Sequence, residues 1–151
     1  DAVDFVQAVH VVQQQNEFVA ADARNRIPFP YRCPETLGQF HVKISGCPNS
    51  CGQHHIADVG LTGMMVKDEN GVELPHYSLL IGGSVGEGRS NIGRRLFGRF
   101  AEADAPRAIV ALARYYGAER KDGERFAEFV ARVGTDVLDR VAQEAVGGAI
   151  R

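Results

Sequence analysis

The chain has 151 residues, of which 44% are hydrophobic and 24% are charged, so it is long enough to close one globular core. Its formal charge of -2 argues against a nucleic-acid-binding protein, and it has no apolar run near the roughly 20 residues that a membrane-spanning helix needs. Three cysteines without a signal peptide argue against a disulfide framework. Composition therefore predicts a soluble, cytoplasmic protein with reduced thiols.

The first predicted element is an amphipathic helix over residues 1–24. Phe5, Val9 and Val12 recur there at helical spacing, without a Gly or Pro between them. Prolines 28, 30 and 34 then exclude a regular helix. We therefore predict that residues 1–39 form an N-terminal helix followed by a proline-rich connection.

Four strands are predicted next, and they surround one polar loop and one hairpin. Val42 and Ile44 alternate with polar residues in the first strand, and Asn70-Gly71 is a strong hairpin signal between the second and third. Glycines at 82, 83, 86 and 88 predict a turn after the third strand, and their spacing does not match a dinucleotide-binding loop. The predicted strands cover residues 41–45, 56–66, 77–81 and 94–100.

Helices are predicted for the rest of the chain. Asp104 is a candidate N-cap, and Gly117 is expected to lie just beyond the end of the helix that follows it. A second helix is predicted to begin near Gly123, and Gly134 is predicted to split it before a continuation over residues 135–145. The apolar stripe of this second helix is expected to pack on the sheet face that carries Val42 and Ile44; it consists of Phe126, Phe129, Val130 and Val133.

The order of these elements predicts an α+β domain with a mostly antiparallel sheet and helices on one of its faces. We divide the chain into an N-terminal part over 1–39, a central domain over 40–134 and a helical tail over 135–151.

The loop in "ISGCPNSCGQHHIADVGLTG", residues 44–63, carries the chemistry. Cys47 and Cys51 lie four positions apart, and thiols at that spacing can bind zinc, bind an iron–sulfur cluster or be ordinary loop residues. Zinc would take His54 and His55 as its further ligands. Adjacent histidines in a strand point to opposite faces, so one of them would miss the metal. As hydrogen-bonded polar groups, the histidines would have Asp58 available to orient one of them.

The stretch "SGCPNSCGQHHIADVGLTG" resembles the second cysteine motif of the sirohaem-dependent nitrite and sulfite reductases, and the resemblance continues through "LLIGGSVGEG" and "ERFAEFVARVG". It implies a [4Fe-4S] cluster and sirohaem in the complete enzyme. It further implies that Cys47 is a cluster ligand and that Cys51 ligates the cluster and bridges to the sirohaem iron. Asn49, Gly82 and Gly83 would lie near the sirohaem.

The first cysteine motif of that family, C-x5-C, has no counterpart in this chain. Gln13 and Val19 stand where its cysteines would be, and Cys33 is interpreted as an ordinary thiol. We therefore expect a fragment or degenerate relative that is inactive alone, needs an upstream domain or partner subunit, and retains neither cofactor by itself. An electron-donor protein and a small anionic substrate, nitrite or sulfite, would act on the complete enzyme. The alternative is a non-catalytic module of the same fold, zinc-bound or metal-free, that acts through a partner subunit.

Overall fold

The computed structural model describes residues 40–86 and 90–147. The predicted helix over 1–24, the proline-rich connection and Cys33 lie outside these residues. The described elements are β1 (Val42–Ser45), a 3-10 turn (His54–Ile56), β2 (Val59–Lys67), β3 (Glu73–Ile81), β4 (Arg94–Ala101), α1 (Ala105–Glu119), α2 (Phe126–Val133) and α3 (Thr135–Ala145).

The strands form one sheet in the order β1-β2-β3-β4. β1 runs parallel to β2, whereas β2–β3 and β3–β4 are antiparallel. The hairpin between β2 and β3 turns at the predicted Asn70-Gly71, where Gly71 has a φ of 80° and the Asp68 carboxylate accepts the backbone N–H groups of Asn70 and Val72. The expectation of a mostly antiparallel sheet is therefore confirmed.

The helices and one face of the sheet enclose the hydrophobic core. Phe126, Phe129 and Val130 are buried in it, and Val42 and Ile44 pack against the same cluster from the sheet. This confirms the predicted packing of the helical stripe on that strand face. The other large hydrophobic side chains that are fully buried are Leu61, Leu79, Ile81, Leu96, Phe100, Ile109, Leu112, Tyr116 and Leu138.

Two helix boundaries differ from prediction. Helix α1 continues through Gly117 to Glu119, and the backbone N–H of Arg120 closes its last turn on the Tyr116 carbonyl. Packing of the buried Tyr116 ring outweighs the helix cost of one glycine, which is about 1 kcal/mol. The next helix starts at Phe126, because Gly123 has a φ of 70° and lies in the turn before it. The predicted break at Gly134 is confirmed, with a φ of 93°.

Strand boundaries also differ. The strand predicted from Ile56 begins at Val59, and the strand predicted from Tyr77 begins at Glu73. Helix α3 adds Leu138 and Ala142 to the common core. The three-part division of the chain stays a prediction, and helix α3 of its 135–151 segment shares the core of the preceding unit.

Candidate functional site: the cysteine loop

The cysteine loop, residues 46–58, connects the end of β1 to the start of β2. Because these strands are parallel, the loop must carry the chain back along the sheet. The loop packs very closely against both strands. A Cβ on Gly52 of the loop would lie 2.1 Å from the Ile44 carbonyl oxygen in β1, and a Cβ on Gly60 in β2 would lie 1.9 Å from the His54 carbonyl oxygen. Both positions therefore require glycine.

Both predicted cysteine ligands lie at the surface of this loop. Cys47 and Cys51 are exposed, free thiols. Between them the chain turns at Ser50, which has a φ of 60°, and the Ser50 carbonyl accepts the Gln53 N–H at 2.7 Å. Both thiols are therefore accessible from solvent.

The histidines that follow are not in a strand, so the prediction that they point to opposite faces is wrong. They form a 3-10 turn in which the rings of His54 and His55 lie 4.0 Å apart. His54 Nδ1 lies 2.8 Å from the Ser45 hydroxyl, and His55 Nδ1 lies 2.7 Å from the Ser50 hydroxyl. Burial of His54 lowers its pKa, with smaller contributions from His55 and Arg95. The two serines are functional candidates that sequence reasoning missed, since Ser in a loop gives no distinctive pattern.

The serine contacts of His54 and His55 bear on whether these histidines could join the cysteines in a zinc site. Both rings are engaged by serine hydroxyls, and within the described ranges no three Cys, His, Asp or Glu side chains form a group that could hold a metal ion. Asp58, expected to orient His54 or His55, instead accepts the backbone N–H of His41 at 2.7 Å and lies 3.2 Å from its Nδ1. The hydrogen bond between the Asp58 carboxylate and the His41 ring raises the pKa of His41.

The glycine pair named with the cysteines lies behind the loop. Gly82 has a φ of 77° and donates its N–H to the Asp58 carbonyl, while a Cβ on Gly83 would lie 2.6 Å from the carbonyl oxygens of His55 and Ala57. The structure therefore brings both glycines against the cysteine loop. Asn49 is exposed beside the two cysteines. Contact of these three residues with a cofactor stays a prediction.

A cavity of about 360 Å³ lies beside Gly83, and no sequence motif predicts it. Its charged lining comes from segments more than sixty positions apart, so local patterns cannot reveal it. Its charged and titratable lining residues are His41, Asp58, Tyr116, Arg120, Glu124 and Arg125.

The donor set fits an iron–sulfur cluster in kind, because thiolates are the ligands such clusters take. It fits in part, because the described residues offer two thiols where a [4Fe-4S] cluster takes four ligands. The fold and the loop together define an α+β domain that presents two thiols at one end of its sheet.

Residues 14–149 match the family model described as the nitrite and sulphite reductase 4Fe-4S domain. The chain belongs to this family. The recognition made from the cysteine motif is confirmed.

Relatives and solved structures agree. The chain is 37% identical over 98 residues to Sulfite reductase (ferredoxin) 2 of Mycolicibacterium paratuberculosis, covering 64% of the chain and 18% of that protein. It is 30% identical over 105 residues to the assimilatory ferredoxin-dependent nitrite reductase of Haloferax mediterranei, covering 70% and 18%. The structure of the Mycobacterium tuberculosis NirA protein aligns with a TM-score of 0.62 and 29% identity over 88% of the chain and 22% of NirA. The chain thus spans about a fifth of the length of the proteins it matches.

None of the helices within the described ranges is both long enough and apolar enough to span a bilayer.

Proposed function

We propose that this chain is the cluster-binding domain of a nitrite or sulfite reductase and that Cys47 and Cys51 supply two thiolates to its [4Fe-4S] cluster. The observation that carries the proposal is the presence of two free, exposed thiols on a glycine-restricted loop in a chain of this family. The cytoplasm, where thiols stay reduced, is the compartment that suits them.

The protein's own groups have three tasks in this proposal. Cys47 and Cys51 would hold the cluster, and the close packing at Gly52 and Gly60 fixes the loop that carries them. Asn49 and the Gly82-Gly83 pair would lie toward the sirohaem. When bound, a [4Fe-4S] cluster takes up and passes on single electrons. Peptide N–H groups of the loop would bond the cluster sulfurs and tune the potential.

Other parts of a longer protein, or a partner subunit, complete the site. The relatives are several times longer than this chain, and its described residues offer half of the thiolates a cluster needs. In the complete enzyme, electrons from a donor protein would pass through Cys51 to the sirohaem for reduction of nitrite to ammonia or of sulfite to sulfide. Alone, the chain would be inactive.

The test uses the full-length polypeptide that carries this chain, purified without oxygen. Cys47→Ser should lower the iron and sulfide content while leaving haem–cluster coupling in the molecules that stay loaded. Cys51→Ser should abolish that coupling, measured by EPR or Mössbauer spectroscopy, because a bridging thiolate transmits it directly. Cys33→Ser is the matched control and should change neither. Full iron content and coupling in the Cys51→Ser protein would contradict the proposal.

A metal-free module that acts through a partner is the second candidate. It is favoured by the shortage of ligands, since no group of three metal-binding side chains forms within the part of the chain that the structure describes. For the chain on its own, we expect little bound iron and no absorbance near ~400 nm from a cluster. About four irons and four sulfides per chain would contradict that expectation. A colourless, iron-free full-length protein would favour the module over the reductase.

A further inference from the structure

We propose that the two serine–histidine pairs, Ser45–His54 and Ser50–His55, are positioning devices that fix the backbone on both sides of Cys51. The inference rests on the proposed function for the role of the thiol. The fixation itself can be measured without any cluster.

Ser50, the residue before Cys51, is fixed first. It holds a φ of 60°, a left-handed conformation that costs a residue with a side chain free energy. Its hydroxyl lies 2.7 Å from His55 Nδ1, and this hydrogen bond offsets that cost. The backbone conformation just before Cys51 therefore depends on the hydrogen bond to the His55 ring.

His55 is itself held from two sides. Its carbonyl accepts the Gly93 N–H at 2.7 Å, which ties its backbone to the residue just before β4. Its ring lies 4.0 Å from that of the buried His54. The His55 backbone is thus tied to the start of β4, and its ring packs against a buried neighbour.

Gly52, the residue after Cys51, is fixed through the second pair. Its N–H donates to the Ser45 hydroxyl at 3.2 Å, and that hydroxyl also lies 2.8 Å from His54 Nδ1. Ser45 is the buried last residue of β1. Both neighbours of Cys51 are therefore anchored, each by a serine–histidine pair.

Within the described residues, no serine–histidine pair anchors the neighbours of Cys47. The Gly46 carbonyl oxygen packs closely on β2, since a Cβ on Gly63 would lie 2.6 Å from it, and the Cys47 carbonyl accepts the Ser50 N–H at 3.5 Å. Pro48 after Cys47 is exposed and has no N–H to donate. The two serine–histidine pairs therefore act on the Cys51 side of the loop.

The test measures amide hydrogen exchange in the full-length polypeptide that carries this chain. Ser45→Ala and His55→Ala should raise exchange at Gly52 and Gln53 about tenfold, the effect of losing one net hydrogen bond, while β3 amides stay unchanged. His55→Asn, which keeps a polar atom near the Nδ1 position, should restore the slow rate. His41→Ala is the matched control, since it removes a histidine bonded at the other end of the same loop.

Two further arms keep the outcome decisive. Ser50→Gly adopts φ 60° without strain, so it should fold even if His55→Ala does not, and it should raise the same two exchange rates. In cluster-loaded protein, His55→Ala should shift the EPR signal and His55→Asn should return it. Unchanged exchange at Gly52 and Gln53 in Ser45→Ala and Ser50→Gly would overturn the positioning role. Failure of the cysteine substitutions to affect iron would instead overturn only the proposed function.

Discussion

The helical side of the molecule and the cysteine loop are held by different forces. On the helical side, aromatic rings pack directly against one another. The centroid of the Phe129 ring lies 5.2 Å from that of Tyr116 and 6.1 Å from that of Phe126, and all three side chains are buried. In the loop, close backbone approaches and serine–histidine hydrogen bonds hold residues whose thiols stay exposed.

The difference separates stability from chemistry. Burial of apolar area gives a large, non-directional free energy, whereas short polar contacts give less energy but fix positions closely. Damage to the helices should unfold the domain, and damage to the loop should misplace the thiols in a domain that still folds. Three substitutions test this, in order of expected effect.

The largest effect is expected from Phe129→Ala. The ring is fully buried between two helices, so its removal should cost about 3 to 5 kcal/mol of the free energy of unfolding. Phe97→Ala is the matched control, because that ring is 69% exposed and its loss should cost less than about 0.5 kcal/mol. Denaturant melts measure both. Similar losses in the two variants would show that the helical face is not the main source of stability.

An intermediate effect is expected from Gly52→Ala. The new Cβ would lie 2.1 Å from the Ile44 carbonyl oxygen, so the loop must shift, at a cost of about 1 to 3 kcal/mol. Gly46→Ala, in the same loop with open space around it, should stay within about 0.5 kcal/mol of the parent. Iron content of the full-length protein should fall in the first variant alone. Equal iron in both would contradict the importance of the close approach.

The smallest effect concerns acid stability. Arg132 donates to Glu124 at 2.6 Å, and this hydrogen bond, with the N–H of Lys121, lowers the pKa of Glu124 from 4.5 to about 2. A lowered carboxyl pKa adds stability above pH 4.5 that is lost as the pH falls toward about 2. Arg132→Gln should therefore lower the melting temperature more at pH 7 than at pH 2.

The pH dependence is what identifies the ion pair. Arg132 also lies over the Phe129 ring at 5.3 Å, a contact whose loss should not vary with pH. Arg107→Gln, which removes the exposed Arg107–Asp104 pair, is the control and should change little at either pH. If the melting temperatures of the parent and of Arg132→Gln differed by the same amount at every pH, the ionised Glu124 carboxylate would not contribute to stability.

Much of the fold could be predicted from local patterns. The stripe of Phe126 and Phe129, the Asn70-Gly71 hairpin and the break at Gly134 each have a direct local cause, and all three were found. Prediction failed where a distant contact decides. Gly117 stays helical because the Tyr116 ring beside it is buried in the core, which no window of neighbouring residues can show.

The candidate site divides in the same way. Cys47 and Cys51 stand out by residue type and spacing alone. The opposite orientation expected for His54 and His55 from strand geometry is not observed, because both lie in a 3-10 turn and their rings are hydrogen-bonded to two serine hydroxyls. Ser45 reaches His54 across nine positions, and such a pair leaves no periodic trace in the sequence.

The parallel pairing of β1 gives the loop a kinetic property as well as a position. β1 has four residues and, within the described sheet, a neighbour on one side, so its end is a natural place for fraying. Ser45, at that end, takes part in two of the contacts that hold the loop. Each transient opening of this short strand would therefore also release the loop.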